Sequence, residues 1–103
     1  MVDDEKTVLM KLHSSQGQNI LAICDPELLG EKFEWGEVVM LISKSFYGGE
    51  MVGMDIMLRT AAQCSSINAF GRTSVGALLE AGLVEKEAIV YINGVPHCQV
   101  YVI

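Results

Sequence analysis

Val8, Met10 and Leu12 alternate with Thr7, Lys11 and His13 in the segment TVLMKLH, the period-two pattern of a strand with one buried face, broken only by Leu9. The polar, glycine-containing stretch SSQGQN follows, and ILAIC returns apolar on both faces, so residues 7–24 are expected to form a hairpin. In DPELLG an Asp, a Pro and a later Gly stand in the order of a very short helix, with Asp25 as its N-cap. EKFEWGEVVMLIS then gives a turn around Gly36 and a third strand through residues 38–42, which SFYGGE interrupts.

The period changes after that point. Met54, Met57, Leu58, Ala61, Ala62 and Ser65 fall on one helical face, with Asp55 suited to the positive end, and predict a helix over 53–64. Beyond SSINAFG, to which no strand is assigned, Val75, Leu78, Leu79 and Leu83 repeat the spacing, and Gly82 supplies a stop, giving a second helix over 72–81. EKEAIVYI leads into a fourth strand and CQVYVI is a fifth. Strands, then helices, then strands predict an α+β fold: a small mixed β-sheet of about five strands with two helices packed on one face. The 103 residues make one domain, 1–103.

Composition narrows the functional classes. Seven basic against thirteen acidic side chains give a net charge of −6, the wrong sign for broad nucleic-acid binding, which depends on neutralising many phosphates. The apolar run VVMLI is far below the ~18 residues needed to span a bilayer, so no membrane association is expected. MVDDEKTVLM lacks a secretory pattern, and a cytoplasmic location follows as the expectation. The three cysteines are widely spaced, with no Cys-x-x-Cys pair, and are read as reduced thiols; neither a metal nor a cofactor is expected.

Three stretches carry candidate chemistry, each with a plainer alternative. In VPHCQVYVI the pleat places His97 with Gln99 and Tyr101, and Cys98 with Val100 and Val102, on opposite faces. Cys98 is then a small buried hydrophobe, while His97 either satisfies a loop carbonyl or contacts a ligand or partner. FYGGE offers Tyr47, Gly48, Gly49 and Glu50, as a tight turn with positive φ or a close approach to something bound. NAFGRTS brings Asn68, Gly71 and Arg72 to a helix start, where backbone N–H groups and a guanidinium could cradle an anion, or where Thr73 and Ser74 are simply caps. His97 with Glu50 or Asp25 could move a proton if they lay within hydrogen-bond reach.

Taken in order, AICDPELLGEKFEWGEVVMLIS, SFYGGE, INAFGRTSVGALLEAGLV and NGVPHCQVYVI resemble the archaeal family known as domain of unknown function 424, over residues 7–103. The family-like polar and turn positions are Asp25, Gly30, Tyr47, Gly48, Gly49, Glu50, Asn68, Gly71, Pro96, His97 and Gln99. Gly53, where an acidic or hydroxyl residue would open the first helix, and Cys98, where a small Ala is frequent, depart from the pattern. The resemblance implies an archaeal, cytosolic α+β protein in the setting of translation or ribosome assembly, and no assigned activity.

The expected role is therefore a binding or adaptor module for a protein or ribonucleoprotein partner. Its surface would combine Tyr47, Gly48, Gly49 and Glu50 with Asn68, Gly71 and Arg72 and with His97 and Gln99, Asp25 lying nearby. Glu50 is expected to reach His97 and raise its pKa. The alternative is a small-molecule enzyme using His97 with Glu50 or Asp25 as acid and base and an anion site near Arg72. A monomer is favoured over a homodimer, because the net charge opposes self-association.

Overall fold

The computed structural model describes residues 6–101. Nine residues of β1 (Thr7–Ser15) and seven of β2 (Gln18–Cys24) form the expected hairpin, in a register that sets Leu12 opposite Leu21 and Met10 opposite Ile23. After a 3-10 turn at Pro26–Leu28 come β3 (Lys32–Trp35), β4 (Val38–Leu41), the one-turn helix α1 (Lys44–Tyr47) and β5 (Glu50–Gly53). Helix α2 (Met54–Ala61), β6 (Ser66–Phe70), helix α3 (Arg72–Glu80), a second 3-10 turn at Lys86–Ala88, β7 (Ile89–Ile92) and β8 (Val95–Tyr101) complete the chain. Asn93 and Gly94 take φ of 53° and 81°, both positive as a two-residue turn requires, and fold β7 onto β8.

The main sheet has six strands in the order β5-β1-β2-β6-β8-β7, with β2 and β6 parallel and the other pairs antiparallel. It is mixed, as expected, and α2 and α3 cover one face. Val8, Leu21, Ile23, Ile67, Ala69 and Cys98 point to that side and pack with Met57, Ala61, Val75 and Leu78. The opposite face is covered over part of its area by β3, β4, the first 3-10 turn and α1, where Ala22, Cys24, Phe70 and Ile92 meet Ile42, Tyr47, Phe33 and Met40. The core is thus two apolar layers separated by one sheet.

Several elements differ from the sequence reading, which left the residues of β3, α1, β5 and β6 in turns or connections. SINAF is the central strand β6, buried at Ser66, Ile67, Ala69 and Phe70, and its two polar side chains hid it among the connecting residues. The strand over 38–42 forms no part of the main sheet; β3 and β4 make a separate two-stranded ribbon. The edge of the main sheet beside β1 is instead β5, a strand the sequence reading did not assign, pairing Val8 with Val52 and Met10 with Glu50. No helix among the described residues is long and apolar enough to cross a membrane.

Candidate binding surface

Asp25 caps a helix, and the helix is α3. Its carboxylate accepts hydrogen bonds from the backbone N–H groups of Thr73 (3.0 Å) and Ser74 (2.8 Å) and from the Ser74 hydroxyl (2.8 Å). It makes no cap bond to the 3-10 turn that follows it in sequence, which corrects the local N-cap expectation. Parallel pairing of β2 with β6 brings the ends of both strands together, so that Asp25 N–H donates to the Phe70 carbonyl and the carboxylate lies under the first turn of α3. Gly71, the residue before α3, has φ of 115°, and a Cβ there would run into the Asp25 carboxylate. A side chain is excluded twice, by conformation and by space. The anion cradle of the sequence reading is therefore filled from within: the anion is Asp25, 3% exposed. The shallow groove beside it, about 220 Å³, is lined by Asp25 and Glu27 as well as Arg72, a poor setting for a second anion.

His97 and Glu50 do not meet. The sheet order separates their strands by four steps, about 19 Å at ordinary strand spacing. Register places Glu50 with Met10 and Val52 on the helix-covered side, and His97, opposite Phe70, on the other. Asp25 is equally committed elsewhere, so the acid–base pair of the enzyme reading does not assemble. The His97 ring stacks on Phe70 (centroids 4.1 Å) and its Nδ1–H donates to the Ala69 carbonyl at 2.9 Å. Burial lowers the histidine's pKa below its ordinary 6.5 against the opposing influence of that bond, the reverse of the expected rise. Nδ1 being the donor, the neutral ring carries its lone pair on Nε2.

Across the same face runs a chain of aromatic rings: His13 stacked on Phe46 (4.6 Å), Phe46 edge-on to Tyr47 (4.9 Å), Tyr47 edge-on to Phe70 (6.2 Å), then His97. Phe33 of the ribbon stacks on Phe70 from above, at 6.0 Å. The one-turn helix is held at both ends: Phe46 N–H donates to the Ser43 hydroxyl, while Lys11 Nζ and His13 Nε2 donate to the carbonyls of Ser45 and Phe46 at 2.9 and 2.8 Å. The Tyr47 hydroxyl donates to the Asn68 amide oxygen, which gives a polar side chain on the central strand its partner. Burial raises the Tyr47 pKa, so this hydroxyl stays protonated.

Of the polar candidates, the structure gathers Tyr47, Asn68, His97 and Gln99 on one sheet face, with Asn68 opposite Gln99 in register. Tyr47 and Gly71 are buried, Asn68 and His97 are half-buried, and Gln99 and Arg72 are exposed. Gly48 and Gly49 lie at the far edge. Neither has positive φ; a Cβ on Gly48 would strike the Lys44 carbonyl, and one on Gly49 the backbone of Met10 and Lys11, so they serve a close approach within the chain. Among the described residues no three His, Cys, Asp or Glu side chains gather closely enough to hold a metal ion. Cys98 is buried as expected, its thiol pushed up to about 11 by burial, and Cys24 is pushed up to about 12 by burial and then by Asp25 and Glu27.

The most exposed apolar cluster was not singled out in the sequence. Trp35, Val38, Val39 and Leu41 of the β3–β4 ribbon are 50%, 55%, 61% and 52% exposed. Val38 and Trp35 form the pair that closes the turn, and Ile42 N–H bonds the Glu31 carbonyl further along. Antiparallel alternation then turns the backbone groups of Val39 and Leu41 away from β3, toward an edge on which no described strand lies. The signal was present in VVML, four apolar residues in a short strand without a charge or proline to guard it.

A sequence model of the family described as "protein of unknown function (DUF424)" matches residues 13–103. The fold is similar to a crystal structure of an uncharacterized conserved protein from Methanopyrus kandleri, with a TM-score of 0.83 and 28% sequence identity over 94% of this chain and 92% of that one. A search of curated proteins finds no significant match.

Proposed function

The chain belongs to the DUF424 family, and we propose that it is a binding module that takes an extended segment of a partner protein as an added strand on the free edge of β4. The observation that carries this reading is the unguarded edge itself. Among the described residues the outward N–H and C=O groups of Val39 and Leu41 have no strand partner, and their side chains form an apolar strip beside them. Strand addition satisfies those backbone groups and reads alternate side chains of the incoming segment. Exposed edges of this kind are ordinarily blunted by lysine, proline or a bulge; Val38–Leu41 has none of these.

Charge selects the occupant. Glu31, Glu34 and Glu37 outnumber Lys32 in and beside the ribbon, and the whole chain carries −6, so a segment alternating basic with apolar residues is complementary. Proteins of ribonucleoprotein assemblies carry such basic segments, which agrees with the setting the family resemblance implies. The enzyme reading loses its support with the separation of Glu50 from His97 and the commitment of Asp25 to α3.

A fluorescent synthetic peptide alternating lysine and valine, with a glutamate–valine peptide as control, tests the reading by anisotropy. Wild-type protein is expected to bind the first and ignore the second. Val39→Pro removes the outward donor without touching a bond to β3, and should abolish binding while leaving the fold intact. Equal binding by the proline variant would overturn the proposal.

A further inference from the structure

We propose that a second copy of this chain docks on the outer face of α3, helix against antiparallel helix, about a twofold axis at Gly76. The first support is Gly76 itself, exposed in mid-helix. Among the described residues a Cβ there would meet nothing within 4 Å, so none of these neighbours requires a glycine. Glycine in a helix interior nevertheless costs about 1 kcal/mol relative to alanine. What its missing side chain permits is the close approach of another backbone from outside.

The surroundings suit a helix. A cleft of about 500 Å³ lies on one side, lined by Lys6, Met54, Ala77 and Leu79 among others, and one of about 170 Å³ on the other, lined by Ile89, Tyr91 and Pro96. Leu79 is 40% and Tyr91 63% exposed, so the flanks of α3 offer apolar area that the described residues leave uncovered.

Charge identifies the occupant as this same chain. Arg72 and Glu80 stand four residues before and four after Gly76, on the same helical face and about 6 Å along the axis in each direction. A twofold axis at Gly76 sets Arg72 of one copy against Glu80 of the other, and the reverse, so one patch is complementary to itself. Both side chains are exposed, and among the described residues the Arg72 guanidinium makes one long hydrogen bond, 3.4 Å, to the Gly94 carbonyl. The net charge of −6 per chain works against association, so the pairing is weak and concentration-dependent. Nothing in it depends on β4.

Sedimentation velocity over a concentration series, with the full chain, decides the matter. Wild type is expected to dimerise reversibly; Arg72→Glu and Glu80→Arg each weaken the dimer about tenfold or more, and the two together restore it. Gly76→Cys should yield a disulfide-linked dimer under mild oxidation, which wild type, with its three cysteines buried, does not form. A wild type monomeric at every concentration, or a dimer indifferent to the charge reversals and not trapped by Gly76→Cys, would overturn the proposal.

Discussion

Asp25 shows how far a single side chain can act from its place in sequence. Its partners Thr73 and Ser74 lie 48 and 49 positions away, and what joins them is the parallel pairing of β2 with β6. Three hydrogen bonds to a buried carboxylate predict that Asp25→Ala costs about 2–4 kcal/mol in denaturant unfolding. Gly71→Ala, which strains φ and pushes into the same carboxylate, should cost about 2 kcal/mol or more. Because both changes damage one contact, the double variant should fall short of their sum. In the sequence, Asp-Pro pointed to a local cap, and nothing nearby contradicted it. One clue was legible: the residue opening the second helix is a glycine with no side chain to cap it, so an acceptor had to come from elsewhere.

His97 supplies a pH test at the same scale. Burial against Phe70 lowers its pKa below 6.5 in the folded protein, so the unfolded chain takes up the proton first. The stabilisation this histidine gives as a neutral ring is complete above about pH 6.5 and declines as the pH falls through the folded pKa. Denaturant midpoints measured from pH 7.5 down to 4.5 should fall more steeply for wild type than for His97→Phe, which keeps the stack and has no proton to take up. Parallel curves would refute the assignment.

At the scale of elements, legibility followed periodicity. The first hairpin and both longer helices stood out because their apolar positions repeat at two or at 3.6 residues over enough length to decide. Strand β6 did not, because it is only five residues long and its Ser66 and Asn68, set beside a glycine, resembled loop residues. Asn68 is tolerated there because Tyr47, brought over by α1, donates to it. Tyr47→Phe leaves that amide without its partner and should cost about 1–2 kcal/mol in thermal or denaturant unfolding, despite preserving the ring contacts. The pleat argument for the last strand carried over directly: Cys98 faces the helices and His97 faces the ribbon. With thiols raised to about 12 at Cys24 and about 11 at Cys98, labelling at neutral pH should be slow in folded protein and rapid after unfolding.

For the whole molecule, the sheet order decides what the polar motifs can do together. Sequence could place Tyr47, Glu50, Asn68 and His97 near strand ends, but which strands become neighbours depends on a crossover through β6 that local pattern does not reveal. Once β1 and β2 stand between β5 and β6, Glu50 is carried to the far edge, and the residues that remain together serve mainly to hold α1 and the ribbon on the sheet. The outer edge of β4 carries no described strand. Amide hydrogen exchange read by NMR, in the presence and absence of the lysine–valine peptide, tests that claim residue by residue. Free protein should exchange Val39 and Leu41 rapidly and Val38 and Met40 slowly; bound peptide should protect Val39 and Leu41 while leaving Asn68, His97 and Gln99 unchanged. Protection confined to those sheet residues, with Val39 and Leu41 still exchanging freely, would contradict the account.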